Sequence, residues 1–568
     1  MHRKRSGLAA GRALAALATA LMLCAAPAAT SLGAGTNQNA VLKDKAFESA
    51  QWVMATAAAR AVSQVGARIA AGSGELGETV RRRQELEDRF QRARNRLVEV
   101  LKSGEGDSEA IKADIAGTER ALAAIDADIA KRFPDYAEVA NPRPLGIAEV
   151  QSLLSDGEAL VLFLADRAAT YVWAVSKTGS QWNRADVGRE AMDNAVRTLR
   201  LTLDPNAPSR GAESLSEEEN EGGAGFDREL AFDLYSRLIA PVARTLDGAS
   251  HVFVVADGPL TSLPLSVLVT EAPQGADNDP QALRDTAWLV RKFATTTLPA
   301  VTSLRAIRSG NAAAASGSIS FRGFGAPALT GPGGAEAEPA KIASRGVSSF
   351  FSGRYADVDA VRQLNPLPGT ARELTRIATL LNAGDKAISL GDEATETAVK
   401  HADFSGVSVL AFATHGLVTG ELTGLAEPAL VFTPPPRATP EDDGLLTASE
   451  ASALKIDADW VILSACNTAA GDGSPGAEGL SGLARAFLFA GARAILVSHW
   501  PVRDDAAAKL TVGTLERLRD HPGMARSEAL RESMVALIAD DSDPSLAHPS
   551  AWAPFVVVGE GGIRPAGQ

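Results

Sequence analysis

The chain has 568 residues, of which 45% are hydrophobic and 22% are charged, and its formal net charge at pH 7 is −13. A chain of this length and apolar content is expected to fold into two or three globular domains. The acidic balance argues against a nucleic-acid partner and against an anionic membrane surface, because both attract basic faces. We therefore expect its partners to be proteins or peptides.

The N-terminus is typical of an export signal. Basic side chains at positions 2–5 precede an apolar Ala/Leu run over 13–26, and small residues follow around Ala26-Pro27-Ala28. We expect residues 1–28 to be a signal peptide, and the protein to be exported to the periplasm of a bacterial cell or secreted. The alternative is an uncleaved N-terminal helix that anchors the chain to the inner membrane. No later segment has about 20 apolar residues, so no integral membrane segment is expected after signal removal.

The cysteine count raises the question of a reactive thiol. The chain has two cysteines, and the first, Cys24, lies in the predicted signal peptide. The remaining Cys466 cannot form an internal disulfide in an exported protein. It is therefore a core residue, an intermolecular link or a nucleophile, and composition alone leaves all three open.

After a predicted linker at 29–40, residues 41–136 are typical of an all-helical region. One apolar stripe includes Leu86 and Phe90, a second includes Ile115 and Leu122, and a glycine-rich break at 103–107 separates them. This pattern predicts an antiparallel helical hairpin. We find no 34-residue repeat register, so the region is a hairpin or a degenerate helical repeat, and it is a candidate surface for a partner protein.

The prolines at 142 and 144 mark the entry to a second domain, predicted over 141–568. Strands at 159–164 and 170–175 are expected to form a hairpin, and a helix is expected over 191–199. The composition near 204–226 and 310–345 predicts two mobile insertions.

Four short apolar runs then recur with helical text between them, at 251–256, 407–413, 460–464 and 492–498. They are nearly continuous rather than alternating, which is typical of strands buried on both faces of a parallel sheet. The fold class is therefore α/β, with a mostly parallel sheet flanked by helices. In open parallel sheets the working site lies beyond the carboxyl ends of the strands, so the residues that follow each run are candidates.

Two of these strand ends carry His415 and Cys466. Neighbouring strands lie about 5 Å apart, so side chains at matching ends can come within hydrogen-bonding reach. An unperturbed thiol has a pKa near 8.5, and a nearby imidazole is needed to activate it. The histidine precedes the cysteine by 51 residues, an order and spacing similar to those of caspases. The N–H groups of Gly416 and Cys466 are candidate oxyanion donors.

Longer segments carry a family resemblance. The sequences Val409-Leu410-Ala411-Phe412-Ala413-Thr414-His415-Gly416 and Val461-Ile462-Leu463-Ser464-Ala465-Cys466-Asn467-Thr468-Ala469 resemble the two signature strands of CHAT domains. That family belongs with caspases, separases and gingipains, and the likeness extends to 255–260, 263–264, 367–369, 371–374 and 552–555. The resemblance implies a caspase-like fold and a cysteine endopeptidase that forms a thioester, with His415 and Cys466 as catalytic pair and with no metal and no cofactor.

The residues around this pair suggest a substrate pocket. Ser498, His499 and Trp500 follow the last apolar run and are interpreted as pocket-lining, with plain packing as the alternative; His499 is also the rival base. Four acidic residues could select a basic substrate side chain, or could be solvated loop charge: Asp442, Asp443, Asp504 and Asp505. The alternative to an enzyme is a catalytically silent scaffold or sensor that binds peptides with the same fold.

Overall fold

A computed structural model describes residues 34–54, 108–132, 143–204, 225–309, 319–332, 351–352, 355–356, 358–417, 428–439, 441–464 and 482–562, with some helical positions between 79 and 100. The predicted signal peptide lies outside the described residues. So does Cys466.

The strands, in chain order, are β1 Glu158–Ala165, β2 Thr170–Ser176, β3 Ser180–Ala185, β4 His251–Val255, β5 Ala294–Thr297, β6 Phe321–Pro327, β7 Phe351–Ser352, β8 Tyr355–Ala356, β9 Ile388–Gly391, β10 Val409–Ala413, β11 Gly416–Leu417, β12 Ala429–Val431, β13 Leu445–Thr447, β14 Trp460–Ser464, β15 Ala494–Ser498 and β16 Phe555–Gly559.

The α-helices are α1 Ala34–Val53, α2 Ser108–Arg132, α3 Ile147–Leu153, α4 Arg189–Leu203, α5 Arg228–Leu238, α6 Ala243–Leu246, α7 Pro280–Asp285, α8 Ser303–Ser309, α9 Val358–Val361, α10 Pro368–Leu380, α11 Glu396–Lys400, α12 Ala448–Ala453, α13 Gly482–Ala490, α14 Asp504–Asp520, α15 Arg526–Ala539 and α16 Pro549–Trp552. Short 3-10 turns cover Ala240–Val242, Gly258–Ser262, Leu265–Val267, Leu289–Arg291, Asp385–Ala387 and Pro544–Ala547.

One sheet of eleven strands organises the described part of the chain. Its order is β3-β2-β1-β4-β5-β16-β15-β14-β10-β6-β9. Seven of the ten pairings between neighbours are parallel. The predicted α/β class, with a mostly parallel sheet flanked by helices, is therefore confirmed, and so is the predicted hairpin of β1 and β2.

The central strands are buried on both faces. In β10, Ala411 and Ala413 pack into one hydrophobic cluster, whereas Leu410 and Phe412 pack into another on the opposite face. This alternation follows from the two-residue period of a strand. It explains why the sequence of β10 is continuously apolar rather than alternating.

The strand directions correct one expectation. The last strand, β16, is antiparallel to β15, whereas β1, β4, β5 and β16 are mutually parallel. Apart from β2, which is antiparallel to both of its neighbours, the sheet thus consists of two blocks that run in opposite directions, from β3 to β16 and from β15 to β9. As a result, Asp257 and Gly258, which follow β4, lie on the opposite side of the sheet from the carboxyl ends of β10, β14 and β15. The sequence had predicted that the residues after all four apolar runs lie together, and for β4 this prediction is wrong.

A second correction concerns the predicted insertion at 310–345. Residues 321–327 within it form β6, which lies between β10 and β9 in the main sheet. Its glycines suggested a loop, but they are required by packing. A Cβ on Gly325 would lie 2.3 Å from the carbonyl oxygen of Ala413 and 2.8 Å from Cδ1 of Leu374, so no larger residue fits without a shift.

The helix α1 packs against the sheet domain. Its Phe47 is fully buried in a cluster with residues of β1 and β2. The Gln51 side chain donates to the carbonyl of Leu145 over 2.8 Å and accepts from its N–H over 2.9 Å. Because α1 begins at residue 34, the second half of the predicted linker at 29–40 is helical.

Two ion pairs join α2 to the preceding helical positions. Arg83 contacts Asp126 and Arg89 contacts Asp114, each over 2.5 Å. The partners run in opposite order along the two segments, as in an antiparallel pair of helices. The boundaries of this region remain predictions. No described helix is long and apolar enough to cross a membrane.

Candidate active site

The site lies where β10 and β14 end side by side. The two strands are parallel and in register, with Ala411 opposite Ile462 and Ala413 opposite Ser464. His415 lies two residues after Ala413, at the same edge of the sheet as the end of β14. The parallel, in-register pairing of the two strands produces this juxtaposition.

The backbone of His415 is held by a small second sheet formed by β11, β12 and β13. The N–H of Val431 donates to the carbonyl of His415 over 2.9 Å. The hydroxyl of Thr414 donates to the carbonyl of Val431. These two bonds fix the chain on both sides of the His415 Cα atom and therefore the direction in which its ring leaves the backbone.

The His415 ring is oriented by a main-chain group. Its Nε2 atom lies 2.7 Å from the carbonyl oxygen of Asn365. A carbonyl can only accept, so Nε2 carries the proton, and in the neutral ring Nδ1 has the free lone pair. Burial lowers the pKa of His415, and the Asn365 carbonyl partly offsets this by favouring the charged form. The neutral imidazole is thus the form that this site favours.

The Asn365 carbonyl belongs to a restrained segment. Pro366 follows it and disfavours a helical conformation at Asn365. Pro368 occupies the first position of α10, where a proline ring suits the helical φ angle. Just before Asn365, the Leu364 side chain packs against the small cluster under β12 and β13. The acceptor for His415 is therefore presented by a stiff entry into α10.

Gly416 begins β11, at the edge of the three-stranded sheet. It is opposite Leu430, while the bond from Val431 to His415 belongs to the adjacent position. In antiparallel pairing this makes Gly416 and Leu430 the pair without mutual hydrogen bonds. The N–H of Gly416 consequently points away from β12, on the side of β11 that pairs with no strand in the described part of the chain.

Ser464, the last residue of β14, is bound by a buried carboxylate. Its hydroxyl donates to Oε2 of Glu373 over 3.0 Å, and the hydroxyl of Thr511 donates to Oε1 of the same group over 2.7 Å. Glu373 lies on α10 and Thr511 on α14, so the carboxylate joins both helices to the strand end. The sequence showed Glu373 only as part of a family-like segment and indicated no role for it.

The residues after β15 are buried. Ser498, His499 and Trp500 are 2%, 5% and 0% exposed. Burial, together with the charge of Arg200, lowers the pKa of His499 to about 3, so its ring is neutral at physiological pH. The Trp500 indole donates to the carbonyl of Ser550 over 2.9 Å. In this conformation the three side chains are packed in the interior, and their predicted role as pocket walls remains a prediction.

The candidate acidic residues have local partners where their side chains are described. Asp442 accepts from the hydroxyl of Thr397 over 2.7 Å. Asp443 accepts from the N–H of Leu445 over 3.1 Å. Asp505 is exposed and pairs with Arg503 over 2.7 Å, which lowers the pKa of Asp505. Asp504 begins α14, and its side chain lies outside the described residues. No group of three or more potential metal ligands occurs in the described part of the chain.

Two curated proteins match a limited stretch of the sequence. Tetratricopeptide repeat protein 28 of Mus musculus is 36% identical over 115 residues, which cover 20% of this chain and 4% of that protein. Its counterpart from Homo sapiens is 33% identical over 120 residues, which cover 21% of this chain and 5% of that protein. The matched stretch is thus about one twentieth of the length of these relatives.

Among solved structures, the chain is similar to one from the Saccharomyces cerevisiae separase–securin complex, with a TM-score of 0.41 and 10% identity over 80% of this chain and 33% of that chain. It is also similar to the Arg-specific cysteine proteinase gingipain R, with a TM-score of 0.31 and 13% identity over 66% of this chain and 75% of that chain.

The profile of the CHAT domain matches residues 228–560, which is more than half of the chain. The match includes β10, β14 and α10, the helix that carries Glu373, and it confirms the resemblance to CHAT domains seen in the sequence. The chain belongs to the CHAT domain family.

Proposed function

We propose that this protein is a cysteine endopeptidase in which Cys466 is the nucleophile and His415 the base. The observation that carries the proposal is the in-register pairing of Ala413 with Ser464. His415 and Cys466 follow these paired positions by two residues each in the sequence. Neighbouring parallel strands are about 5 Å apart, so this register favours contact between the two side chains.

The reaction that this pair supports proceeds through a thioester. Nδ1 of His415 accepts the thiol proton as the sulfur of Cys466 adds to the peptide carbonyl carbon. The C–N bond then breaks, and the imidazolium of His415 returns the proton to the leaving amine. Water then adds to the carbonyl carbon of the thioester while His415 accepts its proton. The C–S bond breaks, the imidazolium of His415 returns the proton to the sulfur of Cys466, and the carboxylic acid product is released.

Two features of the described residues support these roles. The bond from Nε2 of His415 to the Asn365 carbonyl leaves Nδ1 available as the proton acceptor. The outward N–H of Gly416 is suited to donate to the oxyanion, and the N–H of Cys466 is the second proposed donor. Oxyanion donors of this kind contribute about 10²–10³ in rate where they have been removed from other hydrolases.

The wider setting is part of the same proposal. We infer an exported enzyme, periplasmic or secreted, that acts on protein or peptide substrates. The helical region before the sheet domain is the candidate surface for a partner protein.

A thiol-directed peptide electrophile tests the assignment. The purified chain should be labelled selectively at Cys466, and it should cleave members of a peptide library. His415→Ala should lose both properties while retaining its melting temperature, and Cys466→Ala provides the unlabelled control. Slow, nonselective labelling that is equal in the wild-type chain and His415→Ala would favour the peptide-binding scaffold instead.

A further inference from the structure

The buried carboxylate of Glu373 occupies a position from which it can control the site. Glu373 is only 4% exposed. A buried carboxylate is costly unless hydrogen bonds replace its water, and two hydroxyls do so here. One of them belongs to Ser464, the last residue of β14, over 3.0 Å. The other belongs to Thr511 over 2.7 Å. The end of β14 is therefore bound through its side chain to α10 and, through Glu373, to α14.

The same stretch of chain also holds the histidine. Asn365, whose carbonyl binds Nε2 of His415, lies eight residues before Glu373 in the sequence. We call residues 365–373 the α10 entry segment. One end of it contacts His415, and the other end contacts the strand that leads to Cys466.

Close packing prevents this segment from moving freely. Leu374, the residue after Glu373, is fully buried. It lies over Gly323 and Gly325 of β6, where an added Cβ would come within 3.1 Å and 2.8 Å of its methyl groups. The absence of side chains at these two glycines lets α10 approach the sheet closely. Two kinds of contact thus hold α10 in place on the sheet. One is the packing of Leu374 against β6, and the other is the pair of polar contacts that Asn365 and Glu373 make with His415 and Ser464.

We propose that Glu373 is a positioning residue for the reaction. Its carboxylate holds the end of β14 through Ser464 and thereby sets the distance between Cys466 and the His415 ring, which the other end of the α10 entry segment orients. This inference rests on the proposed peptidase function. A displacement of about 1 Å in a reacting group can cost about 100-fold in rate, so one hydrogen bond at this point has a large effect on turnover.

Two substitutions remove the contact from opposite sides. Glu373→Gln leaves one acceptor oxygen and adds an amide that cannot accept from a hydroxyl, and Ser464→Ala removes the donor. Each should lower kcat about tenfold or more and leave KM within about twofold, because substrate binding does not use this bond. The double variant should be no slower than the slower single variant, since both remove one interaction. Ser464→Thr keeps the hydroxyl and should restore most of kcat.

A second readout does not require a known substrate. In a Cys24→Ser background, iodoacetamide reports on Cys466 alone. The alkylation rate should fall in Glu373→Gln and Ser464→Ala in proportion to kcat, because both depend on the contact between the thiol and His415. Glu158→Gln is the matched control. Glu158 is also a buried carboxylate, 2% exposed, but it begins β1, five strands away from β14. That variant should melt at a lower temperature with kcat and alkylation unchanged.

The outcomes separate the two proposals. If the wild-type chain neither cleaves peptides nor reacts faster than a free thiol, the peptidase function is wrong, and the role of Glu373 is wrong with it. If the wild-type chain is active and Glu373→Gln and Ser464→Ala change only the melting temperature, the function stands and the positioning role is overturned. Loss of kcat and of thiol reactivity in both variants at constant KM, with recovery in Ser464→Thr, supports the positioning role.

Discussion

The imidazole Nε2 of His415 donates to the main-chain carbonyl of Asn365 over 2.7 Å. Because the acceptor belongs to the backbone, the orientation of the ring depends on the path of the chain at Asn365 and not on the Asn365 side chain, which is at the surface. This distinction gives a direct mutational test.

We expect Asn365→Ala to retain kcat within about threefold, since the carbonyl is kept. Pro366→Gly should lower kcat more, because a glycine removes the restriction that a proline imposes on the preceding residue. Steady-state kinetics of both variants on one fluorogenic peptide measure the difference. A larger loss in Asn365→Ala than in Pro366→Gly would mean that the side chain, and not the carbonyl, holds the ring.

The pH dependence of kcat/KM should reflect the burial of His415. Burial lowers its pKa below the usual value of 6.5. The base must be neutral to accept the thiol proton, so activity is lost as the pH falls through this lowered pKa and is retained above it. A profile from about pH 4 to 9 should therefore have its acid midpoint below 6.5. A midpoint above about 7 would contradict the neutral-imidazole site.

The two strand-end histidines should differ strongly in their effect on turnover. His415→Ala removes the base and should cost about 10³-fold or more in kcat, as should Cys466→Ala. His499→Ala should keep most of the rate, because His499 is buried and its pKa of about 3 makes it a poor base. Circular dichroism checks that each variant is folded. Equal losses in kcat for both histidine variants would put the choice of base in doubt.

Close packing under α10 predicts a stability effect. Gly325→Ala places a Cβ 2.3 Å from the Ala413 carbonyl oxygen, so β6 or β10 must shift. We expect the free energy of unfolding to fall by about 2–3 kcal/mol.

Gly384→Ala is the control for this substitution, because nothing lies within 4 Å of its added Cβ. Its unfolding free energy should change by less than about 0.5 kcal/mol. Urea unfolding of both variants gives the comparison, and equal stabilities would show that β6 adapts to the larger side chain.

Local patterns predicted the buried strands but not their arrangement. The runs that became β4, β10, β14 and β15 were identified because strands buried on both faces are continuously apolar. Nothing in these runs indicates that β16 enters between β5 and β15 and reverses the direction of half of the sheet. That relation depends on contacts between distant segments, which periodicity does not encode.

At the site, too, the sequence predicted single residues but not the contacts between them. His415 was identified from its residue type and its place after a strand. The Asn365 carbonyl has no sequence signature, since every residue has one, and β6 was read as an insertion because its glycines are equally common in loops. The contact of Glu373 with Ser464 joins residues that are 91 positions apart, and only the packing of α10 on the sheet brings them together.

The last prediction concerns the residue before the cut. A buried, unpaired carboxylate would select Lys or Arg there, because a matching cation relieves its desolvation. Asp442 and Asp505 do not fit that requirement, since Thr397 binds the first and Arg503 neutralises the second. The N–H of Leu445 likewise binds Asp443, so a basic preference would depend on Asp504. We expect Asp442→Asn and Asp505→Asn to leave the ratio of cleavage after Lys or Arg to cleavage after norleucine within about twofold, as measured with a peptide library.

A tenfold fall of this ratio in either variant would show that the substituted residue does contribute to the recognition of Lys or Arg. An unchanged ratio in all four single Asn variants would exclude the acidic pocket and leave an apolar preference as the alternative.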